Sequence, residues 1–548
     1  MTAPGPSFPQ FRPQGEAALL VYLGREIDPA LNAQVRALAR SLEGRAPAGV
    51  REVTAAYCAL QVQFDPLALD HQEVQAWVEE AGQGLPPDPP TAGRRVDIPV
   101  VYGGPHGPDL EFVASQAGLS PGQVIARHAG RDHLCYLVGF TPGFPYLGGL
   151  DPRLQAPRLD TPRLGLPPGA VGVAGDQTGI YPLGGPGGWR LLGRSPLLVY
   201  DPRRDPPCLI QAGDLVRFQP VPAADFPPAP QGALEFEEAG LPVWRVLAPG
   251  GHTTVQDLGR WGHQGLGVPV SGALDQLSLQ AANALVGNSP GAAALEMTLL
   301  GPKLLALADT AFAVCGADLG ARLDGRPLAL GTRIQARPGQ LLEFGRPAGG
   351  SRAVLALAGG LAARTLLGSR STYLLGCLGA PLAQGQVLRV QAPLQAERTP
   401  TRVPESSAKP GGVLTLRAVP GPNQEFFSRQ GLAAFFSQEY RLSNRADRRA
   451  ARLEGPPVEL RPGGPTSIVS EPNAPGVVQV PPDGAPLILL REQTVGGYAK
   501  IATVIGPDLD LLARALPGYR LRFKAVGAAE AVAEARRLGR RLERLRLG

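Results

Sequence analysis

The chain has 548 residues, too many for one hydrophobic core, so three or four domains are expected. Apolar residues at 44% exclude a disordered chain, and Gly 71 with Pro 59, spread without a collagen-like period, favour many strands joined by tight turns. The net charge of +6 is scattered arginine and no apolar run approaches the ~20 residues of a membrane span, so neither a nucleic-acid nor a membrane partner is expected and the chain reads as soluble and cytoplasmic.

Residues 17–24 predict an apolar strand. Asp28 and Pro29 then supply an N-cap and a first-turn proline, and Leu31, Val35, Leu38 and Leu42 follow at helical spacing. A second strand (56–64) and a second helix (about 69–81) complete a small α/β domain over 1–84. Residues 84–93, GLPPDPPTAG, read as a linker. Short strands and glycine turns then predict a β-barrel over 94–220, with helices near 109–117 and 122–128. Proline-containing linkers at about 219–240 and 391–411 set off a β-rich barrel over 241–392 and another over 411–527. Residues 528–548 predict an amphipathic helix whose arginines form a solvated face. Five cysteines without a CxxC pair and six histidines without HExxH point to no disulfide or metal framework.

An internal repeat supports duplicated barrels. Residues 166–181 (LPPGAVGVAGDQTGIY) and 480–498 (VPPDGAPLILLREQTVGGY) share a Pro-Pro turn, an apolar strand, Gln-Thr, glycine and tyrosine. Each is followed by a Gly-x-x-x-x-Phe strand, 213–218 and 518–523, and a third copy lies at 339–344. Closed barrels leave no exposed strand edge.

Three polar clusters among glycines are candidates for chemistry. In the first, Gln177 and Tyr181 are candidate catalytic groups, with Thr178, Trp189 and Arg194 as donors, stacking face and fixed cation for a carboxylate or amide ligand. A hairpin shaped by glycines explains the same residues equally well. In the second, Asp257 is the candidate catalytic carboxylate, with Thr254, Gln256 and Arg260 binding; a surface Asp–Arg pair is the plainer reading. In the third, Gln493 is the catalytic candidate and Thr494, Tyr498 and Lys500 bind substrate. Arg445, Asp447, Arg448 and Arg452 read as a solvated helical turn, and Glu296 as either a site residue or a solvated carboxylate. No cluster holds acid, base, cation and donors together, so the two halves are expected to dock with the clusters near 177 and 254 sharing one site. Residues 188–195 match P-loop spacing except for Arg194 in place of Lys, and an apolar strand rather than a helix follows.

The segments 140–150 (FTPGFPYLGGL), 157–162, 170–181 and 184–196 resemble the B-type subunit family of bacterial 5-oxoprolinase, which also goes by allophanate hydrolase subunit 1 or sporulation-kinase inhibitor. Segments 253–275, 281–288, 367–372, 443–455 and 470–500 are similar to the C-type subunit family that partners it, and both resemble the carboxyltransferase portion of urea carboxylase. Asp176, Pro105 and Arg491 depart from the pattern, Arg491 standing where an acidic residue is usual. The resemblance implies a mainly β chain with a small α/β N-terminal domain and duplicated cyclophilin-like β-barrels. It implies opening of the lactam of 5-oxo-L-proline to L-glutamate, driven by ATP with Mg as its counter-ion, in concert with a separate A-type 5-oxoprolinase subunit and inactive without it. Two alternatives stay open. One is carboxyl transfer to urea or a related amide from biotin on a separate carrier, since no Met-Lys-Met motif is present; the other is a histidine-kinase-binding regulator without catalysis. A homo-oligomer is also left open.

Overall fold

The computed structural model describes residues 8–85, 93–391 and 412–547. Most of the linkers read at 84–93 and 391–411 lies outside the described residues. Four antiparallel strands, in the order Gln10–Pro13, Ala18–Tyr22, Ala59–Phe64, Val50–Ala55, form the N-terminal sheet. Helices Pro29–Glu43 and His71–Gly82 cover one face over Leu19, Val21, Val35, Leu38, Val62 and Val78. Asp28 caps the first helix by accepting the Leu31 amide at 2.8 Å. Two of the four strands are hidden in the sequence: Pro13 disguises an edge strand, and Arg51 and Glu52 interrupt the apolar run of the other.

Among the described residues two seven-stranded sheets close into barrels, and they share one topology. In the first, Arg95–Tyr102 runs parallel to Leu215–Pro220, its last strand. In the second, Val413–Pro420 runs parallel to Arg520–Ala525. All other pairings in both barrels are antiparallel. The closing strands are the Gly-x-x-x-x-Phe segments, and each phenylalanine plugs its barrel against a helix that lies across it. Phe218 stacks on His128 of helix Pro121–Ala129 at 4.5 Å, and Phe523 on Phe435 of helix Arg429–Ser437 at 4.3 Å. Burial of each ring stabilises by about 2–3 kcal/mol.

The Gln-Thr repeat, by contrast, does not superpose. Following the strand order from the closing strand, Gln177–Ile180 corresponds to Leu487–Leu489, so Gln493 and Thr494 fall one step later. The true equivalent of Val495–Gly496, paired with Glu471–Pro472, is Gly185–Gly187, paired with Arg163–Leu166. Gly-Gly-Trp189 therefore matches Gly-Gly-Tyr498.

The barrel expected over 241–392 is instead two open sheets packed face to face, one of six strands and one of five. Its Gly-x-x-x-x-Phe strand, Leu341–Glu343, pairs antiparallel with its neighbours and closes nothing. Trp244, Leu295, Phe312 and Leu355 fill the space between the sheets, and helix Gln276–Leu285 packs on the outer face of the five-stranded one.

The halves interlock. Val138 forms a parallel bridge with Leu266, and the Gly143 amide donates to the Leu266 carbonyl at 2.9 Å. Gly267, at φ +75°, lies so close to the Thr141 carbonyl that no Cβ fits. The stretch between the halves lies pinned along the surface: Phe226 packs against His106, Phe236 bridges Ala363, and Glu235 and Glu237 pair with Arg364 and Arg370. The C-terminal helix, Ala528–Leu547, crosses back to the N-terminal unit, where Arg536 Nε donates to the Pro66 carbonyl at 2.8 Å. A Cβ at Gly539 would sit 2.7 Å from Leu67. No described helix is long and apolar enough to cross a membrane.

Candidate functional site

Most side chains singled out from the sequence are taken up by internal contacts. Gln177 Nε2 donates to the Tyr57 hydroxyl of the N-terminal unit at 2.8 Å. Thr178, fully buried, donates to the Gly172 carbonyl at 3.0 Å and meets His128 Nε2 at 2.8 Å inside the barrel. Tyr181 and Trp189 sit in an aromatic core around Phe144, where burial raises the Tyr181 phenol. Arg194 donates to the Pro168 carbonyl at 2.9 Å and lies 4.2 Å over Phe226.

In the second cluster, Gln256 Nε2 donates to Thr254 Oγ1 and to the Thr372 carbonyl, both at 3.1 Å. Asp257 accepts from Ser369 Oγ and the Arg370 amide at 2.7 Å, the Gly259 amide at 2.8 Å, and Ser371 Oγ. Arg260 is buried and donates to the Ser371 carbonyl. These groups organise the 369–372 loop. The halves dock, and no hydrogen bond or ion pair among the described residues joins these groups to the Gln177 cluster.

In the third cluster, Thr494 Oγ1 accepts the Phe140 amide at 3.2 Å across the seam between the halves, Tyr498 is exposed, and Gln493 is half-buried. Lys500 is fully buried: Nζ donates to the Pro472 carbonyl at 2.6 Å and pairs with Glu471 at 3.0 Å, and burial lowers its pKa. It fastens one barrel strand to the 471–472 strand and presents no charge to a ligand. Arg448, read as solvated, is instead the centre of a buried network. It pairs with Glu296 and, at 2.6 Å, with Glu492, and donates to the Gly272 carbonyl. Both halves of that pairing come from glycine-rich or polar runs whose partners lie far away in sequence, which is why they looked exposed.

Another set of polar groups converges elsewhere. A cleft of about 600 Å³ opens where the N-terminal unit, the two-sheet unit, the second barrel and the C-terminal helix meet. The N-terminal unit contributes Glu16 and Arg51, the two-sheet unit Trp261, Gln276 and Gln280, the second barrel Arg491 and Asp510, and the helix Leu538 and Leu542. Glu16 accepts the Gly506 amide at 2.8 Å and so caps helix Gly506–Arg514, which lacks a capping side chain of its own. Burial raises the Glu16 carboxyl. Asp510, one turn into that helix, accepts the Gln276 amide at 2.8 Å. Burial, and then the charge of Asp275, lift its carboxyl well above the usual range, against the pull of Arg491 and Arg514. Asp275 itself is held by Arg514 at 2.6 Å. Arg51 pairs with Asp65 at 3.2 Å and lies 5.1 Å over Trp261. Arg491 lines the cleft, its carbonyl accepting the Ser271 amide at 2.9 Å. Burial lowers its pKa to about 10, which leaves it charged at neutral pH.

The cleft thus sets a cation beside a carboxyl whose hold on its proton is strengthened by burial, with amide side chains at hand. That set can grip an anionic group and transfer a proton next to it. Arg491 was visible in the sequence only as a departure from a pattern, and Asp510 only as a charge inside the apolar run DLDLL. Other hollows offer less. A cavity of about 230 Å³ beside Tyr22, Asn423 and Glu471 is floored by side chains already paired, and a groove of about 640 Å³ over Phe11, Leu38 and Val78 is largely apolar.

The two halves of the fold correspond to a two-part carboxyltransferase domain. Residues 9–210 match the family described as carboxyltransferase domain, subdomain C and D, and residues 266–525 match carboxyltransferase domain, subdomain A and B; the chain belongs to this family. Within it, the chain carries the B-type and C-type subunit families of 5-oxoprolinase fused in one polypeptide. It is 39% identical over 227 residues to the B-type 5-oxoprolinase subunit of Bacillus subtilis, a match covering 40% of this chain and 95% of that protein. To the C-type 5-oxoprolinase subunit of Escherichia coli it is 36% identical over 296 residues, 53% of this chain and 93% of that protein. The urea amidolyase of Lachancea kluyveri is 32% identical over 305 residues, 51% of this chain but only 17% of that larger protein. The crystal structure of TTHA0988 superposes with a TM-score of 0.84 at 40% identity, covering 92% of this chain and 99% of that one.

Proposed function

We propose that the chain is the fused B and C component of an ATP-dependent 5-oxoprolinase, binding 5-oxo-L-proline in the cleft and opening its lactam to L-glutamate with a separate A-type partner. The observation that supports this reading is that the cleft is walled by both halves, which explains why B-type and C-type chains work as a pair and tolerate fusion.

Opening the ring breaks the amide C–N bond. Water adds to the carbonyl carbon, and the departing nitrogen must take up a proton. Asp510, whose carboxyl burial lifts to about 7, can supply it from the cleft wall, and Gln276 and Gln280 can orient the ring amide. The amide is resonance-stabilised, so the carbonyl oxygen needs activation, which ATP supplies by phosphorylation. Residues 188–195, whose spacing mimics a P-loop, form the barrel strand Arg190–Arg194 and do not cradle a phosphate. No step of this chain is routed through ATP.

A second reading, carboxyl transfer to a urea-like nitrogen from biotin on a separate carrier, is supported by the family description and by the urea amidolyase likeness. Glutamate release from 5-oxo-L-proline separates the two. ATP-dependent release by the chain with the A-type partner, and negligible release by the chain alone, is the expected result. Robust turnover by the single chain, or none by the reconstituted pair, would refute it.

A further inference from the structure

We infer that Arg491 anchors a ligand carboxylate, so that the cleft selects small amides or lactams carrying a carboxylate and passes over neutral amides such as urea. The inference rests on reading the cleft as the substrate site.

Among the described residues the other arginines packed between these units each hold at least one internal partner. Arg448 holds Glu296 and Glu492, Arg514 holds Asp275, Arg260 donates to the Ser371 carbonyl, and Arg352 Nη1 donates to the Ala513 carbonyl at 2.8 Å. The Arg491 guanidinium makes no hydrogen bond and no ion pair with any described residue, although it stands in the wall of the cleft shared by the two halves. A guanidinium fork that no side chain fills is open to an anion. The acids around it do not fill it. Asp510 is committed to the Gln276 amide, Glu16 to the Gly506 amide, and Asp65 to Arg51. Arg491 is thus a cation of the cleft wall with no ion-pair partner among the described residues. A planar guanidinium matches a carboxylate with two parallel hydrogen bonds, which urea cannot reward because it brings no charge. A carboxylate gripped at Arg491 would set the rest of a small ring toward Asp510 and the Gln276 and Gln280 amides.

Calorimetric titration of the full chain, without ATP or partner, tests this. The probes are 5-oxo-L-proline, its neutral carboxamide, urea, and cyclopentanecarboxylate as a carboxylate without a lactam. The wild type should bind both carboxylates, with the carboxamide and urea about 10- to 100-fold weaker, the loss of one charge-assisted contact. Arg491→Gln should weaken both carboxylates to that level, and Arg491→Lys should keep part of the affinity. Thermal unfolding of Arg491→Gln should match the wild type, since the guanidinium has no internal partner to lose. Equal binding of 5-oxo-L-proline and its carboxamide, undiminished carboxylate binding by Arg491→Gln, or no binding of either carboxylate overturns the inference. Arg491-dependent binding of cyclopentanecarboxylate alongside absent lactam hydrolysis by the reconstituted pair would keep the anchor and remove the 5-oxoprolinase reading.

Discussion

Glu52 lies on a strand of the N-terminal sheet and reaches across to the C-terminal half, where it accepts the Gln264 amide at 2.5 Å and Gln264 Nε2 at 2.9 Å. Burial pushes its carboxyl up to about 7 from an ordinary 4.5, outweighing the hydrogen bonds from Gln264 that pull it down. That difference corresponds to about 3 kcal/mol of preference for the protonated form in the folded chain. The folded state therefore binds the proton more tightly than the unfolded state. Its stabilising contribution is fully present below about pH 4.5 and is lost as pH rises through about 7. Between pH 5 and pH 8 the wild type should lose about 2–3 kcal/mol from this one group. Glu52→Gln keeps the shape and cannot ionise, so its pH slope should be flatter by that amount, whatever other groups contribute to both proteins. Urea denaturation followed by tryptophan fluorescence at pH 5, 6, 7 and 8 measures the difference. Parallel pH profiles for the two proteins would show that Glu52 is not strained by burial at the seam.

Three further outcomes are expected. Lys500→Met leaves Glu471 as an unpaired buried carboxylate and should cost about 3–5 kcal/mol of stability; a cost under 1 kcal/mol would mean the pair is not dry. Arg194→Lys should lower stability by about 1 kcal/mol through loss of the Phe226 stack and the Pro168 bond, while the reconstituted complex keeps its turnover; a tenfold fall in turnover at unchanged stability would return Arg194 to the site. Gly267→Val places a branched side chain against the Thr141 carbonyl at a positive φ, so the seam should open and limited proteolysis should cut between the halves sooner, whereas wild-type resistance would refute the close approach.

Local features were legible from the sequence because they depend on backbone conformation and side-chain period. Asp28-Pro29 opens a helix wherever it occurs, and the alternating Leu521 and Phe523 fix the inward face of a strand. The long FTPGFPYLGGL and SNRADRRAARLEG runs carried the family. What the sequence left undetermined is the destination of each polar side chain. Gln177 finds Tyr57, 120 positions away, Asp257 finds Ser369 and Ser371 more than 110 positions on, and Lys500 is spent on Glu471. A glutamine or lysine among glycines reads the same whether its partner is a ligand or another strand, because the partner is supplied by non-local packing. Arg491 shows the converse. Its neighbourhood marks it only as a departure from a pattern, yet folding brings it into one cleft with Glu16 and Asp510 and leaves its fork open. Only the tertiary structure decides which cation remains free, since freedom here means that no carboxylate among the described residues forms an ion pair with it.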